Sequence, residues 1–332
     1  MKVLVTGGTG FLGSAIVRML IGKGHTAVSF SRGNYSHLCA TGMDIQQGDL
    51  RDIKALRQAA SGCDAVIHTA AKAGVWGPAE DYERTNVQGT QNVIQVCREL
   101  QIRRLVYTSS PSVVFTGGDE DGIDESAPYA ERFLADYPRT KALAEQAVLA
   151  ANDPELATVV LRPHLIWGPG DPHLVPRVLS RARAGKLALI GNGSNLVDST
   201  YVENAALAHL LALEKLAPEA ACAGKTYFIS NGEPLAMKTL LNHILAAADL
   251  PPITRHIPPK LAYVTGSVLE MVYSRLWPQY EPIMTRFVAR QLATSHWFQL
   301  DLARQDLGYQ PLIGLNEGFQ RLHESLVMSS GS

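Results

Sequence analysis

A tyrosine and a lysine four residues apart are the side chains of this sequence best suited to proton transfer. Tyr137 and Lys141 stand in the segment Y-P-R-T-K, and of the eleven tyrosines only Tyr137 has a lysine four positions later. On a helix, this spacing places both side chains on one face. A free phenol has a pKa near ~10, and a nearby ammonium lowers that pKa by stabilising the phenolate. The pair therefore predicts a general acid or base, although the same spacing also occurs on solvated helix faces.

Hydroxyl residues precede this pair at the end of a β-rich run. The segment Tyr107–Phe115, Y-T-S-S-P-S-V-V-F, places several serines where a strand ends. In open α/β sheets, ligands bind at the carboxyl ends of the strands. A hydroxyl there can donate to a substrate oxygen as negative charge develops on it. The alternative is a serine-rich turn whose hydroxyls bond to their own backbone.

The start of the chain predicts an anion-binding turn. Lys2–Gly13, K-V-L-V-T-G-G-T-G-F-L-G, joins a short apolar run through four glycines to an amphipathic helical pattern. A strand that turns at glycines into a helix directs free N–H groups and the positive end of the helix dipole at one point. That arrangement suits the pyrophosphate of a dinucleotide. The spacing satisfies both G-x-G-x-x-G and G-x-x-G-x-x-G, in the strand–turn–helix context that the motif requires.

The residues after the second predicted strand indicate which dinucleotide binds. A site for NAD places an acidic residue there, against the ribose 2′-hydroxyl. This chain has Ser31-Arg32-Gly33 instead, and a cation suits a 2′-phosphate, so NADP(H) is favoured. The alternative is an exposed arginine that contacts no cofactor.

These residues need a scaffold, and the first half of the chain alternates strand and helix patterns. Strands are predicted at 2–6, 26–30, 44–47, 64–68, 103–108 and 157–161, and helices at 11–23, 52–60, 81–100 and 137–151. Such alternation predicts an α/β fold with a doubly wound parallel sheet of the Rossmann type. Residues 1–163 would form mainly this dinucleotide-binding domain.

After residue 163 the pattern changes to helices separated by proline-rich connectors. Helices are predicted at 174–184, 202–215, 235–248 and 316–326, and residues 223–229 are expected to return as a sheet strand. Residues 164–332 would therefore form mainly a smaller C-terminal substrate lobe. The apolar segment Leu261–Trp277 is too short and too charged for a membrane span, which leaves a helix that lies on a surface or lines a cleft.

Composition and residue spacing give no support to several classes of function. A net charge of −1 and a pI near 6.8 give no reason to expect nucleic acid as a partner. The four scattered cysteines, at 39, 63, 97 and 222, form no C-x-x-C pair and are expected to be reduced thiols of a cytoplasmic protein. No histidine pair has the spacing of metal ligands on a helix. The acidic run at 119–125 is typical of a solvated loop, with a moving lid as the alternative.

The motifs together resemble the extended short-chain dehydrogenase/reductase superfamily. Besides the glycine turn, the serines and Y-x-x-x-K, the segments His68–Ala71 (H-T-A-A) and Asn86–Asn92 (N-V-Q-G-T-Q-N) match its pattern. The 3β-hydroxysteroid dehydrogenase-like branch fits best, through Y-T-S-S-P-S-V-V-F, L-R-P-H-L-I-W-G-P-G-D and D-S-T-Y-V-E-N-A-A-L-A-H.

The resemblance assigns roles. Tyr137 would donate or accept the proton, Lys141 would hold the nicotinamide ribose and tune Tyr137, and Ser110 would be the catalytic serine, with Ser112 as second candidate. The cofactor-binding set it implies is Gly7, Gly10, Phe11, Leu12, Gly13, Ser31, Arg32, Asp49, Leu50, Ala70, Ala71, Lys72, Tyr137, Lys141 and Pro163.

Within that branch, segments 70–77, 148–159, 191–206 and 227–234 are similar to bacterial reductases of long-chain olefin biosynthesis. This resemblance implies an NADP(H)-dependent reduction of 2-alkyl-3-oxoalkanoic acids, and assembly with the β-lactone synthetase and decarboxylase of that pathway. It also implies a homodimer in the cytoplasm, with attachment to a membrane left open. The alternatives are a 3β-hydroxysteroid or sterol-4-carboxylate dehydrogenase and, from another class, a non-catalytic NADP-sensing regulator.

A substrate with two long chains would need an apolar cleft and a partner for its carboxylate. Leu261–Trp277, Phe287, Trp297 and Phe298 could line the cleft, although core packing explains them equally well. His164 or Lys72 could bind the carboxylate.

Overall fold

The computed structural model describes residues 1–33 and 44–330. Its strands are β1 (Lys2–Thr6), β2 (Thr26–Ser31), β3 (Asp44–Gln47), β4 (Ala65–His68), β5 (Arg104–Thr108), β6 (Glu120–Ile123), β7 (Ala157–Pro163), β8 (Ile166–Trp167), β9 (Leu189–Ile190), β10 (Leu196–Val197), β11 (Thr200–Tyr201), β12 (Lys225–Ile229), β13 (Leu235–Ala236), β14 (His256–Ile257) and β15 (His296–Phe298). Cys39 lies outside the described residues, whereas Cys63, Cys97 and Cys222 are free and buried.

The helices alternate with the strands in the first half and dominate the second. They are α1 (Phe11–Gly22), α2 (Ile53–Ala60), α3 (Ala79–Tyr82), α4 (Gly89–Glu99), α5 (Asp136–Ala150), α6 (Leu174–Arg183), α7 (Val202–Lys215), α8 (Met237–Ala246), α9 (Pro259–Leu276), α10 (Arg286–Ala293), α11 (Asp301–Leu307) and α12 (Leu315–Ser330). Among the helices within the described ranges, none has the combination of length and hydropathy needed to cross a bilayer.

A seven-stranded sheet in the order β12-β7-β5-β4-β1-β2-β3 forms the centre of the molecule, and every neighbouring pair in it is parallel. This confirms the predicted doubly wound α/β fold. The chain runs outward from β1 in one direction through β2 and β3 and then crosses back to β4. In such sheets, ligands bind where the direction reverses, at the carboxyl ends of the strands.

Apolar side chains cover both faces of this sheet. On one face α1 and α7 pack together over β1, β4 and β5, with Ile16, Leu20 and Leu213 fully buried. On the other face α2, α4 and α5 bury Leu56, Val96 and Val148. The strands are apolar nearly throughout because they are covered on both sides.

The second half of the chain contributes strands to the large sheet and to a second, smaller sheet. As expected, residues 225–229 return to the large sheet as β12, beside β7. A second sheet in the order β13-β10-β15-β6 joins the first half of the chain to the last third, because β6 pairs with β15. The division at residue 163 stays a prediction.

Two sequence expectations need correction. The helix predicted at 81–100 is divided: α3 leads into a π-helical turn at Glu83–Gln88 before α4 begins at Gly89. The acidic run is not simply a solvated loop, because residues 120–123 form β6 and Glu120 is buried against His296. The second departure depends on a partner distant in sequence, because β6 pairs with β15.

Candidate active site

The glycine turn between β1 and α1 has the geometry of an anion site. Gly7 has φ +71°, a left-handed conformation that favours glycine, and its carbonyl accepts from Gly10 N at 2.8 Å. A Cβ at Gly13 would lie 2.1 Å from the carbonyl oxygen of Gly7, so only glycine fits there. The first N–H groups of α1, at Phe11, Leu12 and Gly13, have no partner within the helix. The turn therefore offers free N–H donors at the carboxyl end of β1, where a pyrophosphate fits.

The residues expected to hold the adenosine half lie beside this turn. The Ser31 hydroxyl at the end of β2 accepts from the Thr9 hydroxyl at 2.8 Å, and Arg32 is exposed. Asp49 forms a 2.8 Å ion pair with Arg51, whose guanidinium lowers the pKa of that carboxyl. Leu50 is buried against α4. Arg32 therefore offers a cation in water next to a carboxylate that stays ionised.

The loop after β4 is fixed by an asparagine to which the sequence assigned no role. Asn86, in the π-helical turn, accepts from Lys72 N at 2.7 Å and donates to Lys72 O at 3.2 Å. Its amide also donates to the Thr140 hydroxyl on α5 at 3.0 Å. Asn86 thus ties the loop containing Ala70 and Ala71 to the helix that carries Tyr137. A π turn is a frequent mark of a functional site, but the sequence motif alone does not show these contacts.

Tyr137 and Ser110 meet at the carboxyl end of the sheet. Tyr137 is partly buried in the first turn of α5, and it lies close enough to Ser110 for that serine to lower the pKa of the phenol. The Ser110 hydroxyl also contacts the Ser112 hydroxyl at 2.9 Å and accepts from Ser112 N at 3.2 Å. Of the two candidate serines, Ser110 is the one that influences the phenol, and Ser112 is buried and contacts Ser110.

The pKa of Tyr137 moves in the direction opposite to the expected one. Burial raises the pKa of the phenol, and the nearby Ser110 hydroxyl partly opposes that rise. Lys141 Nζ instead donates to Thr108 O at 2.5 Å and lies 4.2 Å from the centre of the Tyr107 ring. Burial lowers the pKa of Lys141 to about 7. The phenol therefore keeps its proton at neutral pH, which suits a proton donor.

A buried carboxylate supports the helix that carries Tyr137 and Lys141. Glu145 lies one turn after Lys141 and forms an ion pair with Arg162 of β7 at 2.5 Å, and both side chains are buried. Glu145 also accepts from the Ser109 hydroxyl, and from the Tyr129 hydroxyl at 2.9 Å. The carboxylate holds the chain at the end of β5, just before Ser110, against α5. The four-residue spacing between Lys141 and Glu145 is visible in the sequence, but the partners of Glu145 are not.

The two residues considered for a substrate carboxylate are poorly suited to it. His164 is buried beside Phe298, and burial lowers its pKa to about 3, so the ring is neutral. The Lys72 ammonium pairs with Asp81 at 2.8 Å. Phe287 and Phe298 are buried core residues, whereas much of Leu261–Trp277 is exposed on α9. Pro163, the last residue expected at the cofactor, ends β7.

A Rossmann sheet, a glycine turn that only glycine can form, and a Ser–Tyr–Lys group at its carboxyl edge define an NAD(P)-dependent oxidoreductase of the short-chain type. The chain belongs to the 3-beta hydroxysteroid dehydrogenase/isomerase family, whose pattern matches residues 4–258. The expected superfamily and branch are thereby confirmed.

Named relatives extend over nearly the whole chain. The 2-alkyl-3-oxoalkanoate reductase of Shewanella oneidensis is 53% identical, covering 97% of this chain and 85% of that protein. The enzyme of the same name from Stenotrophomonas maltophilia is also 53% identical, covering 98% and 99%. The mouse sterol-4-alpha-carboxylate 3-dehydrogenase, decarboxylating, is 38% identical, covering 98% and 90%.

Solved structures share the fold. MoeE5 in complex with UDP-glucose and NAD superimposes with a TM-score of 0.75 at 26% identity, and the match covers 100% of both chains. A double mutant of DesIV, a dTDP-glucose 4,6-dehydratase with NAD bound, gives a TM-score of 0.77 at 23% identity. This chain is therefore built on the scaffold of nicotinamide-dependent enzymes.

Proposed function

We propose that this enzyme reduces the keto group of 2-alkyl-3-oxoalkanoic acids to give 2-alkyl-3-hydroxyalkanoic acids. The observation that carries the proposal is the 53% identity, over nearly the whole chain, to two bacterial enzymes named for this substrate. The position of Tyr137 near Ser110 supports it, because ketone reduction requires one proton donor at the oxygen.

Four parts of the chain would have distinct roles in this reaction. The turn at Gly7–Gly13 would hold the dinucleotide, whose nicotinamide supplies a hydride to the keto carbon when it is bound. Tyr137 would pass its proton to the oxygen, and Ser110 would donate to the same oxygen as charge builds on it. Lys141 would hold the ribose from its place beside Thr108 O. The raised pKa of Tyr137 keeps that proton available at neutral pH.

We further propose that NADPH is the preferred reductant. Arg32 is exposed at the end of β2, at the position where a site for NAD carries a carboxylate. We expect Arg32→Ala to raise the KM for NADPH about tenfold, the scale of one lost charge-assisted contact, and to leave the KM for NADH nearly unchanged. Initial rates with both reductants measure this. A native enzyme that prefers NADH, with a preference unaltered in Arg32→Ala, would refute the assignment.

A panel of ketones tests which class of substrate the enzyme reduces. NADPH consumption is measured with a synthetic 2-alkyl-3-oxoalkanoic acid, with the same chain lacking the 2-alkyl branch, and with a 3-ketosteroid. The proposal expects the branched acid to have the largest kcat/KM. The 38% identity to the mouse sterol-4-alpha-carboxylate dehydrogenase makes sterol chemistry the second candidate, and turnover of the steroid alone would establish it. A non-catalytic regulator would show no turnover of any of these compounds.

The resemblance also supports two proposals about partners. One is a homodimer, and the other is assembly with the β-lactone synthetase and decarboxylase of the olefin pathway. Light scattering of the purified chain, alone and mixed with each of the two enzymes, gives the masses that test both.

A further inference from the structure

Lys141 and Glu145 are buried residues of opposite charge, one helical turn apart on α5. Because water is excluded around them, each charge acts strongly on the other. Burial lowers the pKa of Lys141 to about 7, and the negative charge of Glu145 opposes that fall. The carboxylate therefore favours the protonated form of the lysine.

The other titratable groups near this ammonium carry no charge at neutral pH. The groups that face it, or face its acceptor Thr108, are His68 of β4, Tyr107 of β5, Tyr137 of α5 and His209 of α7. Burial lowers the pKa of the two histidines, to about 3 and about 4, and raises the pKa of both tyrosines. The Glu145 carboxylate is thus the ionised neighbour that can stabilise the ammonium.

Glu145 also fixes the residue that lies between two contacts of the site. Its carboxylate accepts from the Ser109 hydroxyl, and Ser109 N donates to the neighbouring strand β7 at 2.6 Å. On one side of Ser109, Thr108 O accepts from Lys141 Nζ at 2.5 Å. On the other side, Ser110 lies near the phenol. A shift of Ser109 would therefore displace both contacts together.

The carboxylate itself is held in one ionised position. Arg162 Nε lies 3.2 Å from each of its oxygens, Arg162 Nη2 lies 2.5 Å from one of them, and the Tyr129 hydroxyl donates at 2.9 Å. The side chain of Glu145 is 0% exposed and that of Arg162 is 4% exposed. Well-packed apolar residues often stabilise a fold as much as such a buried pair does. A role beyond stability is therefore needed to explain the charge.

We propose that Glu145 is a positioning residue for the reduction. Its charge stabilises the Lys141 ammonium, and its hydrogen bond to Ser109 holds Thr108 and Ser110 against α5. This inference rests on the proposed function, in which Lys141 holds the ribose and Ser110 donates to the keto oxygen. Glu145 contacts neither ligand in this scheme and acts only through its neighbours.

NMR of the cofactor-free enzyme tests the role of the charge. Lysines are labelled with carbon-13 at the ε position, and the Lys141 resonance is assigned by its loss in Lys141→Met. In Glu145→Gln we expect the titration midpoint of Lys141 to fall by about one pH unit or more, because an attractive charge is lost. Glu145→Gln/Arg162→Met should also show a fall, and it leaves no lone charge buried if the single variant does not fold.

Two matched variants separate the charge from the packing. Glu145→Asp keeps the carboxylate and should stay near the native midpoint. Glu203→Gln breaks an ion pair with Arg321 in which both side chains are partly exposed, and it should leave the midpoint unchanged. An unchanged midpoint in the variants that lack the Glu145 carboxylate would overturn the electrostatic role, and so would an equal fall in Glu203→Gln.

Ser109→Ala tests the hydrogen bond without changing any charge. We expect kcat/KM for the branched ketoacid to fall about tenfold or more, because a small displacement of reacting groups is costly, while the Lys141 midpoint stays native. Ser126→Ala is the control, since its hydroxyl donates to the Asp124 carboxylate at an exposed site, and it should keep native rates. Native rates in Ser109→Ala would overturn the positioning role of this bond. If the native enzyme reduces none of the ketones, the proposed function fails, whereas the NMR midpoints still decide whether Glu145 stabilises the ammonium.

Discussion

Helices α5 and α9 make opposite use of their side chains. In α5, seven of fifteen residues are buried, and they include a lysine and a glutamate. In α9, only two of eighteen residues are buried, and valine, leucine and methionine face water. Burying charge and exposing apolar area both cost stability. The contrast shows that neither helix follows the pattern of a core helix, and it can be tested by making matched substitutions in both.

The largest expected effect is the loss of the α5 phenol. Tyr137→Phe removes the proposed proton donor but keeps the ring, so we expect kcat/KM to fall by about 10² to 10⁴. Steady-state rates with the branched ketoacid measure it, and thermal unfolding confirms that the variant is folded. Tyr273→Phe on α9 is the matched control and should keep native rates. Equal activity of both variants would contradict the assigned role of Tyr137.

The next effect concerns carboxylates on the two helices. Glu145→Gln leaves Arg162 charged and buried without its counter-charge, which costs about 3 kcal/mol of the free energy of unfolding. Glu270→Gln on α9 breaks a pair whose arginine side chain is 42% exposed, so the loss should be about 1 kcal/mol or less. Urea unfolding of both variants gives the two values. Similar losses would mean that burial does not distinguish the two ion pairs.

The sequence predicted α5 and the glycine turn because their signals are local. Tyr137 and Lys141 are one helical turn apart, and the bounds of β1 and α7 agree with the predicted ones. The contacts of Glu145 with Tyr129 and Arg162, and of Asn86 with Lys72, could not be predicted, since they join segments separated in the chain. The predicted direction of the Tyr137 pKa shift was wrong for the same reason. Burial raises that pKa, and burial depends on how the whole chain packs.

The same limit applies to α9. Its helical period was visible in Leu261–Trp277, but a period shows only that one face is apolar, and not whether protein covers that face. The sequence therefore left a surface helix and a cleft-lining helix open. The structure places Leu261, Val264 and Val268 in water.

A third prediction concerns the buried lysine of α5. The pKa of Lys141 is lowered from 10.5 to about 7 in the folded enzyme. Between these values the unfolded chain holds a proton that the folded enzyme lacks, so the free energy of unfolding rises with pH. The slope approaches about 1.4 kcal/mol per pH unit, or about 2 kcal/mol from pH 7 to pH 9.

The Lys141→Met variant has no amine at this position. Comparison with it therefore isolates the contribution of the lysine to the pH dependence of the free energy of unfolding. The stability of the native enzyme, taken relative to that of Lys141→Met at each pH, should increase across this range. Lys260→Met, at an exposed site on α9, should follow the native pH dependence. A native curve parallel to that of Lys141→Met would show that burial does not disfavour the charged amine.

The smallest effect should come from Val268→Ser on α9. Val268 is about half exposed, so the substitution removes little buried area, and valine and serine have similar helix propensities. The free energy of unfolding should therefore change by no more than about 0.5 kcal/mol. Val148→Ser on α5 is the same substitution at a fully buried site, and it should cost about 3 kcal/mol through lost apolar burial and a buried hydroxyl. A large loss in Val268→Ser would contradict the exposure of this valine, because only a covered valine contributes to folding.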